Sequence, residues 1–185
     1  MPHRLFAALV PPPAALEDLV DFLEPRRAEG SLRWTDPDQL HLTLTFMPAV
    51  REDHLDALLE ALAVSAERHA VGPLRVAGAG AFPSPVGARV LWAGVEGGVE
   101  GLASLAASQR ASASAGGGAP EGGRFRPHLT VARTRPLEVT RWLRVLGHYA
   151  GPWWEPRELV VVESRLGQGR ERRPRYETLA HLPLA

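Results

Sequence analysis

Leu40-His41-Leu42-Thr43-Leu44-Thr45-Phe46-Met47 is the stretch on which the fold turns, together with its echo Pro127-His128-Leu129-Thr130-Val131-Ala132-Arg133. In each, apolar and polar residues alternate, the pattern of a strand with one buried face. Side chains on a strand point alternately to its two faces, so His41 and Thr43 project together while Leu42 and Leu44 point the other way. His128 and Thr130 repeat that arrangement over Leu129 and Val131. Each motif thus presents one imidazole and one hydroxyl on a single surface, anchored by aliphatic residues behind. Two such strands facing one cleft supply two groups that titrate near neutrality and two neutral donors.

Working outward, Pro48 is expected to close the first motif strand, and the amphipathic run Glu52 to Ala70 reads as a helix after it. Pro127 to Thr134 is the second motif strand, followed by a helix over Leu137 to Tyr149. Upstream, Arg4 to Val10 reads as a strand stopped by three prolines, and Ala14 to Arg27 has helical spacing. Leu32 to Trp34 is a short extended piece, with turn chemistry at residues 35–38. Pro73 to Ala81 and Arg89 to Val95 read as strands joined through Phe82-Pro83-Ser84-Pro85, with a helix from Val99 to Arg110. Residues 111–123, rich in Ala, Ser and Gly, are expected to form a mobile loop. Glu158 to Ser164 and Tyr176 to Leu182 are the last strands. The class is α+β, and the motif-then-helix repeat suggests two similar lobes about an approximate two-fold axis.

A chain of 185 residues suffices for one well-packed domain, or for two small lobes on one core. No apolar stretch approaches the ~20 residues needed to span a bilayer. The start, MPHRLFAALVPPP, is basic then apolar like a leader, but three prolines close it and no small-residue cleavage site follows. A first strand is the better reading, and a soluble cytoplasmic protein is expected. Cysteine is absent, which excludes disulfides, thiolate nucleophiles and sulfur-based zinc sites. Lysine is absent too, so any phosphate contact falls to arginine, histidine, hydroxyls or backbone amides.

Net charge is zero, but it is unevenly spread. Residues 1–123 carry nine arginines against fifteen acids, a balance of −6, and residues 124–185 carry twelve against six, a balance of +6. A basic final third can serve as the electrostatic footprint of an anionic ligand. Most of those arginines are read as solvated.

Two imidazoles and two hydroxyls suit transfer or hydrolysis at a ribose phosphate. One neutral imidazole takes a proton from water, and one protonated imidazole gives a proton to the departing ribose oxygen. The other histidines, His3, His54, His69, His148 and His181, are read as surface or satisfied residues. Metal binding competes as a reading of the pair. Neither motif has a carboxylate or third histidine at ligand spacing, and His3 with the Glu52-Asp53-His54 stretch is a poor substitute.

The chain resembles the 2H phosphoesterase superfamily, and within it the RNA 2′,3′-cyclic phosphodiesterase branch, also called 2′-5′ RNA ligase-like. Paired H-x-T motifs define the superfamily. Arg4-Leu5-Phe6-Ala7-Ala8, Arg33-Trp34, Gly80-Ala81-Phe82-Pro83, Arg89 to Val95 and Phe125 to Arg133 point to the branch. The resemblance implies a bilobal α+β fold, one domain over residues 1–185, with antiparallel sheets lining a central cleft and helices outside. It implies hydrolysis of RNA 2′,3′-cyclic phosphate ends to 2′-phosphates by a metal-free mechanism. No cofactor and no membrane partner are expected, and a monomer is expected although the sequence does not reveal the oligomeric state. Reverse 2′-5′ ligation belongs to the same family chemistry.

Carried over by position, His41 is the proton donor to the leaving 3′ oxygen and His128 the base that activates water. Thr43, Thr130 and Arg133 bind the phosphate. The sequence itself treats the two histidines alike. Strict alternation sets Arg133 on the face opposite His128, so its phosphate role requires the strand to end or kink near Ala132; the other reading is an edge arginine paired to a carboxylate. Arg126 reaches the cleft mouth if the preceding loop brings it there. Phe6 and Trp34 are candidates to stack on a base, with core packing as their other role. Met47-Pro48 departs from the leucine-glycine pair usual in the family. A 2H relative acting on a small cyclic nucleotide or 2′-5′ oligonucleotide, and a non-catalytic RNA-binding module, are the alternative classes.

Overall fold

An unbroken apolar run, Leu5 to Leu9, forms the buried part of the first strand, β1 (His3–Leu9), in a computed structural model that describes residues 1–185. Pro12 and Pro13 then stop the sheet and start α1 (Pro13–Arg27), where a proline's missing N–H costs nothing. Its buried stripe is Ala15, Leu19 and Leu23, and Arg26 and Arg27 close its negative end. A two-residue strand, β2 (Arg33–Trp34), precedes the first motif strand, β3 (Leu42–Val50). After α2 (Leu55–Ala66) come β4 (Leu74–Phe82), β5 (Ala88–Gly97) and α3 (Val99–Ala115). The second motif opens β6 (His128–Leu137), followed by α4 (Thr140–Leu146), β7 (Glu158–Arg165) and β8 (Arg175–Pro183).

All strands join one antiparallel sheet in the order β4-β5-β6-β3-β1-β7-β8, with β2 on β6. The halves β8-β7-β1-β3 and β4-β5-β6-β2 meet at one rung, Leu42 opposite Leu129. Helices α2 and α3 cover the first half, and α1 and α4 lie against β4 of the second. A continuous apolar core runs beneath both halves, from Leu5, Leu44 and Leu58 to Leu91, Val131 and Trp142. The α+β class, two halves and outer helices agree with expectation.

Several boundaries do not. β3 continues through Pro48 to Val50, because the pairing with β1 slips between Leu5↔Met47 and His3↔Val50. Pro48 falls in that irregularity, where the ladder asks nothing of its nitrogen. The helix expected over 52–70 begins as a tight turn at Glu52–His54 and ends at Ala66, and the one expected over 137–149 is only Thr140–Leu146. Residues 111–115 belong to α3, and Gly116 to Gly118 just beyond them are closely packed, while Gly122 and Gly123 have open space around them. A Cβ on Gly116 would come within 2.8 Å of the Leu58 Cα, and Gly117, at φ +81, lies against the His54 ring. Further along, the Glu121 N–H donates to the Phe46 carbonyl at 2.8 Å.

Candidate functional site

β3 and β6 bulge at the same place in their motifs. Along β3, Ala8 pairs with Thr43 but Ala7 pairs with Thr45, so Leu44 is an extra residue. Along β6, Trp92 pairs with Thr130 but Leu91 pairs with Ala132, so Val131 is extra. Two consecutive side chains are therefore buried in each strand, Leu44 with Thr45 and Val131 with Ala132, and the alternation restarts one residue late. This brings Arg133 to the same face as His128 and Thr130, and Phe46 to the same face as His41 and Thr43. Strict alternation, which sets Arg133 on the opposite face, is thereby overturned.

One cleft of about 630 Å³ collects these side chains: His41, Thr43, His128, Thr130 and Arg133, with Phe6 and Trp34 in its wall. The resemblance's five core site residues thus share a cavity. Arg4, Arg33, Arg133 and Arg173 line it against a single acid, Glu121, so it is built for an anion. Arg133 makes no ion pair; Arg173 is held by Asp36 at 2.7 Å and donates to the Trp34 carbonyl at 3.0 Å. Neither threonine hydroxyl bonds within the protein, and the Thr130 carbonyl is held by the Thr35 hydroxyl at 2.9 Å.

The two imidazoles are fixed alike. His41 Nδ1 donates to the Gln39 carbonyl at 2.7 Å, and His128 Nδ1 donates to the Arg126 carbonyl at 2.7 Å. A carbonyl can only accept, so each Nδ1 carries hydrogen and each Nε2 is the nitrogen left for chemistry. Aromatic rings hold both in place. His41 is stacked on Phe6 at 4.6 Å and 21°, with Tyr176 edge-on at 5.6 Å. His128 has Phe82 edge-on at 5.0 Å and Trp92 tilted at 5.8 Å. Gly80, directly across from Trp92, leaves room for that indole; a Cβ there would come within 2.1 Å of it.

Burial lowers the pKa of both histidines below the ordinary 6.5, more than the carbonyl bonds raise it. The charges of His128 and Arg133 push His41 the same way, and those of Arg133 and Arg126 push His128. Both rings are therefore neutral in the free site near pH 7.

Phe6 is buried with one face against His41, and Trp34 is buried edge-on to Trp142 at 5.2 Å, while both also line the cleft wall. Arg126 reaches the site through its carbonyl, while its guanidinium lies 5.7 Å from the Phe82 ring centre, outside the cleft lining. The sequence alone assigns no site role to Tyr176, Arg4, Phe82 or Trp92. Arg4 lies 4.4 Å over the Phe46 ring, its buried Nε without a partner. The rings around each histidine come from other strands: Phe6 and Tyr176 from β1 and β8 around His41, and Phe82 and Trp92 from β4 and β5 around His128. His3 joins Glu52 at 2.5 Å and Glu163 at 2.7 Å across three elements. That is an ion-paired staple, and no group of three or more His, Asp or Glu side chains is placed to hold a metal ion.

A family model described as LigT-like phosphoesterase matches residues 9–92. The chain is 32% identical over 161 residues to an RNA 2′,3′-cyclic phosphodiesterase of Aeropyrum pernix, covering 83% of this chain and 87% of that one. It is 29% identical over 154 residues to one of Geobacillus stearothermophilus, covering 82% of this chain but only 47% of that longer relative. Among solved structures, TT0787 of Thermus thermophilus matches at 29% identity and a TM-score of 0.81, over 98% of this chain and 97% of that one. E. coli LigT complexed with 3′-AMP matches at 25% identity and a TM-score of 0.81, over 100% and 99%.

Proposed function

This chain belongs to the LigT-like phosphoesterase family, and from that premise we propose that it hydrolyses 2′,3′-cyclic phosphate ends of RNA to 2′-phosphates, using His41 and His128 as an acid–base pair. The observation that carries this reading is the shared cleft with two like-tethered imidazoles, each offering Nε2.

In the reaction, His128 Nε2 takes a proton from water as the water oxygen bonds to phosphorus. The phosphorus–O3′ bond breaks, and His41 Nε2–H delivers its proton to O3′, leaving the phosphate on O2′. His41 ends neutral and His128 protonated, and exchange with solvent restores the starting pair. Thr43 and Thr130 donate to the non-bridging oxygens, and Arg133 offsets the charge that builds there. The bound phosphate favours a protonated imidazole, supplying the acid that the free site disfavours. The choice of His41 as acid and His128 as base follows the family resemblance, since burial and neighbouring charge lower both rings alike. A 5′ hydroxyl in the place of water would give 2′-5′ ligation through the same transfers. Cytoplasmic work on RNA ends is part of this reading.

The deciding experiment is incubation with an oligoribonucleotide ending in a 2′,3′-cyclic phosphate, followed by identification of the oxygen that keeps phosphorus. A 2′-phosphate is expected; a 3′-phosphate, or no hydrolysis, overturns the reading.

A further inference from the structure

Beside the histidines, the cleft continues along β2 and β6 into a depression of about 760 Å³ that shares Arg33, Trp34, Arg133 and Arg173 with it. Arg27 and Arg135 complete a lining of five arginines against one acid, Asp36. Two of the five are committed within the chain. Arg27 meets Glu24 at 3.4 Å and donates to the Thr35 carbonyl at 3.0 Å, and Arg173 meets Asp36. Arg33, Arg133 and Arg135 make no ion pair. Arg33 and Arg133 stand directly opposite one another on the β2–β6 rung. Like charges facing across a ladder are destabilising, and no carboxylate bridges this pair.

We infer that this arm holds the RNA strand upstream of the reacting end, its phosphodiesters lying against Arg33 and Arg135, with Arg133 marking where the arm meets the reacting phosphate. The inference rests on the reading of the cleft as a site for a cyclic phosphate. A terminal ribose that offers O2′ and O3′ to the histidines continues into the strand through its 5′ oxygen, so the polymer must leave the cleft along its wall. A second exit passes Phe6 and His41 toward Pro11, Pro12 and Pro13, but it carries Asp38, Glu155 and Glu158 against Arg157. That exit repels a polyanion, and the arginine arm attracts one. Guanidinium groups supply both the charge and the paired N–H donors that phosphate oxygens accept.

The test compares a cyclic mononucleotide, the same compound with a 5′-phosphate, and dimers and tetramers, all ending in a 2′,3′-cyclic phosphate. Each added upstream phosphate that engages an arginine should raise kcat/KM about tenfold. Arg135→Ala should remove one such step and leave the cyclic mononucleotide unaffected; Arg135→Glu should remove more, and Arg135→Lys should restore part. Affinity for product oligomers ending in a 2′-phosphate, read by fluorescence anisotropy, should fall with salt, and Arg135→Ala should flatten the log–log slope by ~0.7. Equal kcat/KM at all lengths, a length gain that survives Arg135→Glu, or Arg135-dependent binding of polyaspartate with none of RNA would overturn the inference. Should no substrate be hydrolysed while binding still depends on length and Arg135, the reaction assignment fails and the strand track stands.

Discussion

Leu42 of β3 lies opposite Leu129 of β6, both fully buried, and this one antiparallel rung joins the two halves of the sheet. His41 precedes the first leucine and His128 the second. Each histidine is therefore one residue from the rung where the halves meet, and both imidazoles line the cleft that opens there.

That seam predicts a coupling of stability to catalysis. Leu129→Ala should cost about 2–5 kcal/mol, as buried leucine truncations do. Denaturant melts measure the loss, and kcat at full folding should fall as well, because the same leucine spaces the imidazoles. Unchanged kcat in the folded variant would separate the seam from the chemistry.

His41→Ala and His128→Ala should each lower kcat on a cyclic-phosphate substrate by at least ~10²-fold, the usual share of general acid–base catalysis. The double variant should lose far less than the product of the two, since the pair acts as a unit. Steady-state rates with purified variants decide it, and a single variant with near-normal turnover would remove that residue from the mechanism.

The pH dependence follows from burial. The active free enzyme holds one proton on the pair, and both histidine pKa values lie below 6.5. The bell of kcat/KM should therefore be centred below pH 6.5, falling on the alkaline side as the acid loses its proton. Arg133→Gln removes a charge that depresses both rings, so the bell should move to higher pH while its height falls. Profiles of the two proteins on one substrate provide the check; a bell that stays in place would clear Arg133 of any influence on the rings.

Thr43→Val and Thr130→Val keep shape and remove one donor to a charged oxygen. Each should reduce kcat/KM about 10- to 150-fold, the equivalent of ~1.5–3 kcal/mol. Activity should persist in EDTA for these proteins and the parent alike.

His3 gives a prediction about stability alone. Its hydrogen bonds to Glu163 and Glu52 raise its pKa above 6.5, and the bond to His3 lowers that of Glu163 below 4.5. The His3 contribution is complete below pH 6.5 and is lost as pH rises through its folded value; that of Glu163 is complete above pH 4.5 and is lost as pH falls through its own. His3→Ala should therefore destabilise most between pH 4.5 and 6.5 and least in alkali, as read from urea midpoints across that range.

The two motif strands, the helices after them and their common exposed chemistry were legible because alternation is a local signal. Arg133 was legible from the resemblance but its face was not, because a bulge adds one residue without leaving a mark on the pattern of apolar positions: Val131-Ala132 reads equally well as regular strand. Tyr176 and Arg4 escaped for another reason. Each is a single residue on a strand remote from both motifs, and its place in the cleft exists only once β1, β7 and β8 are stacked beside β3. Gly116 to Gly118 read as a flexible run because composition does not tell freedom from close approach.

The matched bulges also give the cleft a handedness. Position for position, the motif strands agree from His41/His128 to Leu44/Val131, and the next cleft-facing residues are Phe46 in one half and Arg133 in the other. Two equal halves would admit a ligand in either of two poses related by half a turn. Phe46 under Arg4 on one side and Arg133 on the other make the two halves of the cleft unlike, so the two poses are not equivalent.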